Sequence, residues 1–321
     1  MRLQVLLIAI ELILTAKKSS KKATWNQNIY PKLKNQKNIC YFNSLIQCLY
    51  NIESFFDFII NHDKNPSKPV TSNIRAIIGR MSKEKNSIES VSYLENAIFE
   101  YKDHGFVLSK QNDASEIFIY IINKMIEEAI TSKINEHKSI EAKENKKLRE
   151  LFYLSFFYKF KCQKCSYASR TNNEITNAIN VAIAKSVQEA LNKHFKSSEP
   201  VEKDCESCKG KNITTEKRCE IIDSPQILTI IFKTFNNDAK KLQNEIFIEE
   251  NIVFHRSQYK LKGFIKHIGA KTSSGHYIAY VLKRNTLVYF NDDSKRDLTQ
   301  KEKEDALNKG KPYVLFYERI T

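Results

Sequence analysis

Cys40, in the stretch NQKNICYFNS, is the first residue whose surroundings favour reactivity. Apolar residues recur at helical spacing from position 43 to 60, so a long amphipathic helix is predicted to begin just after Cys40. A cysteine at a helix N-terminus meets unpaired backbone N–H groups and the positive end of the helix dipole, which favour the nucleophilic thiolate. The charge of Lys37 acts in the same direction. A lone cysteine, however, is more often a buried small apolar residue.

A second set of residues could supply the acid–base chemistry that a cysteine nucleophile needs. Ser274-Gly275-His276-Tyr277 precedes a run that alternates like a strand, and Gly275 could leave space for a backbone to pass close by. A thiol protease uses a histidine to take the thiol proton and return it to the leaving amine. A third polar group orients that histidine, and Asn291 and Asp292 are the candidates. A single histidine is more often structural, so this order of residues is only suggestive.

Four of the seven cysteines form two Cys-x-x-Cys pairs, namely Cys162 with Cys165 and Cys205 with Cys208. Two such pairs supply four thiolates for tetrahedral zinc, and four cysteines leave no open position for water, so a structural site is predicted. The 39 residues between the pairs exceed the usual gap and imply an intervening β excursion. Four free cysteines are the alternative. Cys48 and Cys219 have no partners in the sequence and are predicted to be buried.

The elements that must position these residues change in type along the chain. A second amphipathic helix is predicted over 111–130, and residues 62–71 are predicted to form a loop. Residues 19–37 are predicted to be an exposed lead-in. Short β-like runs follow in the second half, at 227–232, 259–265, 277–282, 286–290 and 313–317. A helical first half and a strand-rich second half predict an α+β protein.

The overall composition is that of a folded protein. The chain has 321 residues, 41% of them hydrophobic, with 19 Phe and 15 Tyr. This is enough apolar material for a sizeable core and argues against general disorder. An odd number of cysteines, four of them in Cys-x-x-Cys pairs, favours metal thiolates and free thiols in a reducing compartment over a disulfide framework.

The formal charge of +15 first suggests nucleic acid or an acidic membrane as a partner. The lysines are scattered, however, and no Arg-rich block is interleaved with aromatic residues. We therefore expect solvated surface charge and no specific nucleic-acid partner. A zinc-containing nucleic-acid binder is kept as an alternative. It predicts strongly salt-dependent binding and leaves Cys40 and His276 unexplained.

The N-terminal residues 1–24 form an apolar and basic segment of their own. Residues 3–14 are mostly apolar but too few for a membrane span, which needs about 20, and Glu11 interrupts them. The run resembles the apolar region of a signal peptide with a poor cleavage site. An ordinary N-terminal helix is favoured over a targeting or anchoring role, so membrane association through residues 3–14 is not favoured. An anchor facing the cytosol is the alternative, because the following lysines would stay on that side.

Several motifs, taken in order, resemble those of one family, the ubiquitin-specific proteases, over residues 31–318. LKNQKNICYFNSLIQ at 33–47 is similar to the family's cysteine box. QNDASE at 111–116 is similar to its helical Gln-Gln-Asp-Ala-His-Glu motif, and the Cys-x-x-Cys pairs match its zinc-bearing fingers. PQILTIIFKTF at 225–235 and the motifs from 259 to 317, which include SGHY and FND, follow in the family's order.

The resemblance implies a papain-like ubiquitin-specific protease fold of the α+β class. The catalytic domain would cover residues 25–321. A helical thumb would occupy about 31–150. Zinc-bearing β fingers, about 155–235, would be inserted in a β-rich palm of about 225–321.

The resemblance also implies the roles of five catalytic residues. Cys40 would be the nucleophile, His276 the base, and Asn291 the third member of the triad, with Asp292 as a supporting polar group. Asn35 matches the family's oxyanion-hole asparagine. One such donor can be worth roughly 10²–10³ in rate.

The substrate contacts implied by the resemblance lie near the second helix and the histidine. Asp113 and Glu116 match acidic residues that bind the arginine-containing tail of ubiquitin, where charge-assisted pairing suits carboxylates. Gln111, Gly275 and Tyr277 are predicted to contact the same substrate.

Some positions depart from the family pattern. Lys37 and Lys32 stand where the family usually has glycine, and Ile39 where it has threonine. Ser115 replaces a histidine and Thr234 an arginine. Lys37 matters most, because a glycine there often marks a turn that a side chain would strain. The chain is therefore identified as a divergent member.

The function implied is that of a deubiquitinating thiol protease, which hydrolyses the isopeptide or peptide bond at the C-terminal glycine of ubiquitin. Ubiquitin and ubiquitinated proteins would be the partners of a monomeric, cytoplasmic or nuclear enzyme. A catalytically weak or inactive ubiquitin-binding relative is one alternative, motivated by the altered turn before Cys40. A protease for a ubiquitin-like modifier is another.

Overall fold

The computed structural model describes residues 25, 29–61, 68–98, 105–131, 138–196, 198–234, 242, 244–271 and 274–320. The apolar and basic segment 1–24 lies outside the described residues, so its predicted nature stays a prediction. Within the described part of the chain, no helix combines the length and apolar content that a bilayer crossing requires.

Eight helices and fifteen strands are described. The helices are α1 (Cys40–Tyr50), α2 (Glu53–Ile60), α3 (Pro69–Met81), α4 (Val91–Ile98), α5 (Ala114–Thr131), α6 (Lys138–Phe152), α7 (Val187–Lys196) and α8 (Gln300–Asn308). The strands are β1 (Leu33–Lys34), β2 (Ile88–Glu89), β3 (Leu154–Cys162), β4 (Ala168–Arg170), β5 (Glu174–Thr176), β6 (Ile179–Val181), β7 (Glu199–Lys203), β8 (Ile213–Asp223), β9 (Ile227–Phe232), β10 (Asn251–Phe254), β11 (Ser257–Lys271), β12 (Ser274–Lys283), β13 (Thr286–Asn291), β14 (Ser294–Asp297) and β15 (Val314–Arg319). The predicted α+β class is confirmed.

The first predicted helix, 43–60, is wrong as a single element, because the chain breaks between α1 and α2. Asn51 follows α1, and its amide donates to the carbonyl oxygens of Lys262 (2.6 Å) and Leu282 (2.9 Å) in the palm. The hydroxyl of Tyr30 donates to the Asn51 side-chain oxygen. Ile52 then takes an extended conformation. The break therefore docks the end of α1 onto the palm strands.

The second predicted helix begins later than expected, at Ala114. The Asp113 carboxylate accepts hydrogen bonds from the backbone N–H groups of Ser115 (2.7 Å) and Glu116 (3.2 Å), as an N-cap does. Gln111 therefore precedes the helix.

The loop predicted at 62–71 is wrong at its end, because Pro69 starts α3. Proline suits the first position of a helix, where its missing N–H costs nothing. Residues 62–67 lie outside the described residues.

The palm is an eight-stranded sheet in the order β14-β13-β12-β11-β15-β9-β6, with β10 paired to β11. All five predicted strands are present within it, and β9 has the predicted bounds. Side chains of β12 alternate between two cores, as strand geometry requires. Tyr277, Ala279 and Val281 pack with the thumb helices, whereas Tyr280 and Leu282 pack on the opposite face of the sheet.

The fingers are a second, five-stranded sheet, in which β4, β3, β8 and β7 follow one another and β5 pairs with β3. Its long strands β3 and β8 are antiparallel. Between β5 and β7 the chain returns to the palm, where β6 pairs in parallel with β9. This is the β excursion predicted between the two cysteine pairs.

The prediction that residues 19–37 form an exposed lead-in is wrong for part of the segment that the structure describes. Tyr30 and Leu33 are buried, and Leu33 lies in β1, which pairs in parallel with β2. This short pairing anchors the backbone that carries Asn35 toward Cys40. Residues 19–24 and 26–28 lie outside the described residues.

Candidate active site

Cys40 is the first residue of α1 and is 3% exposed. The N-cap residue is Ile39, whose side chain cannot accept a hydrogen bond, so the first turn of α1 has no side-chain cap. Backbone N–H groups at a helix N-terminus attract negative charge. The predicted setting of Cys40 at a helix start is confirmed, and it suits both a thiolate and an oxyanion.

His276, near the start of β12, lies between Cys40 and Asn291. Its Nε2 is 2.6 Å from Asn291 Oδ1, which leaves Nδ1 for the hydrogen bond with Cys40. That bond, together with the bond to Asn291, raises the pKa of His276 to about 9, although burial acts in the opposite direction. The three residues predicted to form a triad are therefore brought together, and the imidazolium form is stabilised.

Asp292 lies beside the triad, with Oδ2 3.7 Å from His276 Nε2. Burial raises the pKa of Asp292, and hydrogen bonds from Asn43 and Asn35 oppose that effect. Its backbone φ is +47°, a region that Asp tolerates better than most residues. The carboxylate is thus held close to His276, as expected for a supporting group.

Asn43 is a site residue to which the sequence pattern assigned no role. It is 2% exposed, and its amide donates to Asp292 Oδ1 at 2.8 Å and to the carbonyl of Lys34 at 3.2 Å. Its own Oδ1 accepts a hydrogen bond from the hydroxyl of Ser90 at 2.5 Å. A polar residue one turn after Cys40, in a helix that is otherwise largely apolar, was the signal that could have revealed it.

Asn35 is held in the loop before α1. Its Oδ1 accepts from the backbone N–H of Ile39 at 2.8 Å, and its amide is hydrogen-bonded to Asp292. An amide has two N–H donors, so the second can serve another acceptor. The oxyanion role of Asn35 stays a prediction.

Gln111 bridges the nucleophile and the histidine strand. Its Oε1 accepts from the backbone N–H of Gly275 at 2.5 Å, and its Nε2 is 4.0 Å from the Cys40 sulfur. A Cβ on Gly275 would lie 2.4 Å from the carbonyl of Ile268 and 2.3 Å from Nε2 of His267. Glycine therefore leaves room for a backbone, as predicted, and also for the ring of His267, which was not foreseen.

The two predicted acidic contacts differ in their surroundings. Beyond capping α5, Asp113 accepts a 2.6 Å hydrogen bond from Tyr313, and its Oδ2 lies 3.4 Å from the hydroxyl of Tyr277. Glu116 is exposed. The protein around its carboxylate nevertheless removes some solvation, and this effect, followed by the charge of Asp113, raises its pKa. Asp113 and the buried Tyr277 are thus bonded inside the protein, whereas Glu116 presents a carboxylate to solvent. Their substrate contacts stay predictions.

The turn before Cys40 adopts the conformation that a glycine would favour. Lys37 has φ +63° and Asn38 has φ +58°, and a left-handed conformation costs a residue with a Cβ roughly 1–2 kcal/mol. Lys37 Nζ pairs with Glu95 at 2.7 Å, and the Asn38 amide donates to the carbonyl of Ser109 at 2.9 Å. The expected strain is present, and these contacts hold the turn.

The four paired cysteines meet at the tip of the fingers, where their sulfurs all lie within 4.8 Å of one another. The Cys165 and Cys205 sulfurs are 3.6 Å apart, close to the roughly 3.8 Å edge of a tetrahedron with 2.3 Å Zn–S bonds. Backbone N–H groups of Cys208 and Ser207 lower the pKa of Cys205 to about 6. These residues could hold a metal ion. Of the two remaining predictions, Cys48 is buried, whereas Cys219 is only half-buried.

Comparisons of the whole chain with known proteins point to one family. The family model described as ubiquitin carboxyl-terminal hydrolase matches residues 31–317. Ubiquitin carboxyl-terminal hydrolase 25 of Arabidopsis thaliana is 27% identical over 89% of this chain and 47% of its own length. Ubiquitin carboxyl-terminal hydrolase 36 of Drosophila grimshawi is 24% identical over 88% of this chain and 24% of its own length. The chain thus spans less than half of these relatives.

Solved structures share the fold. The SAGA DUB module of Ubp8, Sgf11, Sus1 and Sgf73 bound to monoubiquitin includes a chain that matches with a TM-score of 0.76 and 19% identity. The match covers 98% of this chain and 74% of that one. A chain of the yeast SAGA DUBm with a mutant Sgf73 matches with a TM-score of 0.74 and 20% identity, over 94% and 70% of the two chains. The predicted arrangement of thumb, palm and fingers is confirmed.

Proposed function

The chain belongs to the ubiquitin carboxyl-terminal hydrolase family, and from this membership we propose that it is a deubiquitinating cysteine protease. Cys40 is its nucleophile and His276 its general base and acid. The observation that supports these roles most directly is the hydrogen-bonded series Cys40–His276–Asn291. A solved structure of the same fold, the Ubp8 module, is described as bound to monoubiquitin, which supports ubiquitin as the partner of this chain.

The first chemical step forms a thioester. His276 takes the proton of the Cys40 thiol, and the sulfur attacks the carbonyl carbon of the C-terminal glycine of ubiquitin, so an S–C bond forms and the carbonyl oxygen becomes negative. The C–N bond then breaks as this intermediate collapses to the thioester. The leaving nitrogen takes a proton from His276 and departs as the amine of the conjugated protein. Asn291 holds the imidazole, and Asp292 stabilises its positive charge. In this proposal the uncapped first turn of α1 and the amide of Asn35 stabilise the negative oxygen of the intermediate.

The second step is hydrolysis of the thioester. A water molecule gives a proton to His276 and attacks the thioester carbonyl, so a C–O bond forms and the S–C bond breaks. Ubiquitin leaves with a free carboxylate, and the Cys40–His276 pair is restored. Gln111 supports both steps because it ties the Gly275 backbone, directly before His276, to the neighbourhood of the Cys40 sulfur.

We also propose that the four-cysteine cluster holds a structural zinc ion. The donor set of Cys162, Cys165, Cys205 and Cys208 suits Zn²⁺, and four thiolates fill its tetrahedral shell. Held by these four residues, a zinc ion would crosslink the two hairpin turns at the tip of the fingers. Free thiols and a thiolate cluster require a reducing compartment, which supports a cytoplasmic or nuclear location. A monomeric state stays a prediction.

A weakly active ubiquitin-binding relative is a second candidate, favoured by the strained turn at Lys37 (φ +63°). The two functions are separated by turnover of ubiquitin carrying a C-terminal aminomethylcoumarin amide. We expect the wild type to release the fluorophore and Cys40→Ala to release none. Turnover retained in Cys40→Ala would remove Cys40 as nucleophile. Turnover of the corresponding amide of a ubiquitin-like modifier, without turnover of the ubiquitin amide, would identify that modifier as the substrate.

A further inference from the structure

A groove of about 490 Å³ lies beside the triad, between the palm sheet and α8. Its apolar wall includes Tyr280, Tyr289 and Ile268. Ile268, near the hairpin end of β11, is 46% exposed and adds an apolar side chain to this wall. The groove thus combines an apolar wall with a charged rim, a combination that suits contact with another protein chain.

The groove begins directly next to His276. In the pairing of β11 with β12, Ile268 lies opposite His276 and Lys266 lies opposite Ile278. Directly opposed residues of an antiparallel pair point to the same face with Cβ atoms about 5 Å apart. The groove therefore shares the face of the sheet that carries the catalytic imidazole.

The two halves of the substrate are expected to leave the scissile bond on different sides of β12. The predicted contacts of the ubiquitin tail, Gln111 and Glu116, lie on the thumb side, where Tyr277 packs. The amine must lie at His276, because it takes its proton from that residue. The chain that continues from the amine would then run along the opposite face, where the groove starts.

The charges around the groove are mostly positive. Four cations and two carboxylates line it, namely Lys266, Arg296, Lys309, Lys311, Glu302 and Asp305. Arg296 and Glu302 neutralise each other in a 2.7 Å ion pair. Among the described residues, no ion pair joins the three lysines to an acid. Burial and the charge of nearby Lys311 lower the pKa of Lys266, so an anion placed between these two ammonium groups would relieve their repulsion.

We propose that this groove binds an acidic segment of the protein whose lysine is linked to ubiquitin, on the leaving-group side of the scissile bond. The inference rests on the proposed function and extends it from ubiquitin to the other half of the conjugate. Conjugates with aspartate or glutamate near the modified lysine are the preferred substrates. The exposed Ile268 contributes an apolar contact next to the bond that is cut.

The test compares two conjugates in which ubiquitin is joined by an isopeptide bond to the lysine of a short peptide. The peptides differ only in having Asp and Glu, or Asn and Gln, around that lysine. The measured quantity is the ratio of the two kcat/KM values, in which any general change of activity cancels. We expect wild type to favour the acidic conjugate about fivefold, which corresponds to about 1 kcal/mol, because the charge contacts are few and partly exposed.

Charge reversal and salt supply the controls. Lys266→Glu/Lys311→Glu should bring the ratio below one, whereas Lys83→Glu, an exposed thumb residue, should leave it at the wild-type value. Salt at about 0.5 M should bring the wild-type ratio toward one, because it screens exposed charges. A wild-type ratio of one at low salt, or a ratio unmoved by the double reversal, would overturn the groove proposal. Failure of wild type to hydrolyse ubiquitin aminomethylcoumarin would instead overturn the proposed function.

Discussion

The amide of Asn43 donates a 2.8 Å hydrogen bond to Oδ1 of Asp292. Asn43 lies one turn after Cys40 in α1, and Asp292 directly follows Asn291 at the end of β13. The bond thus joins the thumb helix that carries the nucleophile to the palm strand that orients the histidine. Since Ser90 in turn holds the oxygen of Asn43, the distance between the two halves of the site depends on a short buried network.

Replacement of Asn43 by alanine should therefore damage catalysis more than ubiquitin binding. Asp292 would lose a hydrogen bond in a buried setting, and the thumb and palm would lose a link. We expect kcat to fall about tenfold with a small change in KM, since a misplacement of reacting groups by about 1 Å can cost up to roughly 10²-fold in rate. The assay is steady-state hydrolysis of ubiquitin aminomethylcoumarin, with the exposed Asn308→Ala as control. A change confined to KM would argue against positioning.

The pH dependence should reveal the stabilised imidazolium. Cys40 and Asn291 raise the pKa of His276 to about 9, so the proton that the leaving amine needs is present below that pH and lost above it. This ionisation also adds folding stability that is complete below the ordinary histidine pKa of about 6.5 and disappears as pH rises through about 9. Activity should therefore decline on the alkaline side near pH 9.

Removal of the Asn291 hydrogen bond tests the origin of this decline in activity at high pH, the alkaline limb of the pH profile. Asn291→Ala should lower the pKa of His276 and move the alkaline limb to lower pH by about one unit, which corresponds to roughly 1.4 kcal/mol. The measurement is the pH profile of kcat/KM for both proteins. A lower rate with an unmoved limb would mean that Asn291 does not act through the ionisation of His276.

Zinc binding should require the four paired cysteines and should not require Cys219. Cys205→Ser should lose zinc and lower the melting temperature, because the fingers would lose a crosslink that contributes directly to folding. Cys219→Ser is a matched control, since Cys219 is also in the fingers but outside the cluster. Elemental analysis and thermal melts provide the readout. A zinc-free wild type that melts unchanged in a strong chelator would contradict the site.

Alanine at Gly275 should be far more harmful than alanine at a helical glycine. The new Cβ would meet the carbonyl of Ile268 at 2.4 Å, so the segment before His276 must shift, and its bond with Gln111 with it. We expect kcat to fall at least about tenfold. Gly79→Ala is the control, because its Cβ would meet nothing closer than 3.5 Å and should stabilise α3 by up to about 1 kcal/mol. Equal activity in the two variants would count against the tight fit at Gly275.

Local patterns in the sequence predicted the elements whose signals are local. The palm strands alternate or run apolar within a few residues, and β9 was predicted to the residue. The break after α1 was missed because its cause lies far away in the chain: the amide of Asn51 finds its acceptors at Lys262 and Leu282. Propensity rules contain no information about such partners.

In the candidate site, too, residues that belong to a sequence motif were predicted, whereas contacts between distant parts of the chain were missed. Cys40, His276 and Asn291 were predicted, because the resemblance to a family places them by motif, and the structure brings them together. The network through Asn43 and Ser90 was missed, since nothing in the spacing of 43, 90 and 292 indicates that they meet. The internal bonds of Asp113 with Tyr313 were hidden for the same reason.

The most direct test of the proposed function is covalent capture with a ubiquitin whose C-terminus carries a thiol-reactive electrophile. Wild type should form a one-to-one adduct, located by peptide mass analysis at Cys40, while Cys40→Ala should form none. Cys48→Ala, which removes a fully buried thiol, should still form the adduct. Absence of an adduct on folded, zinc-loaded wild type, or an adduct on any other cysteine, would contradict the assignment of Cys40 as the nucleophile of a deubiquitinating enzyme.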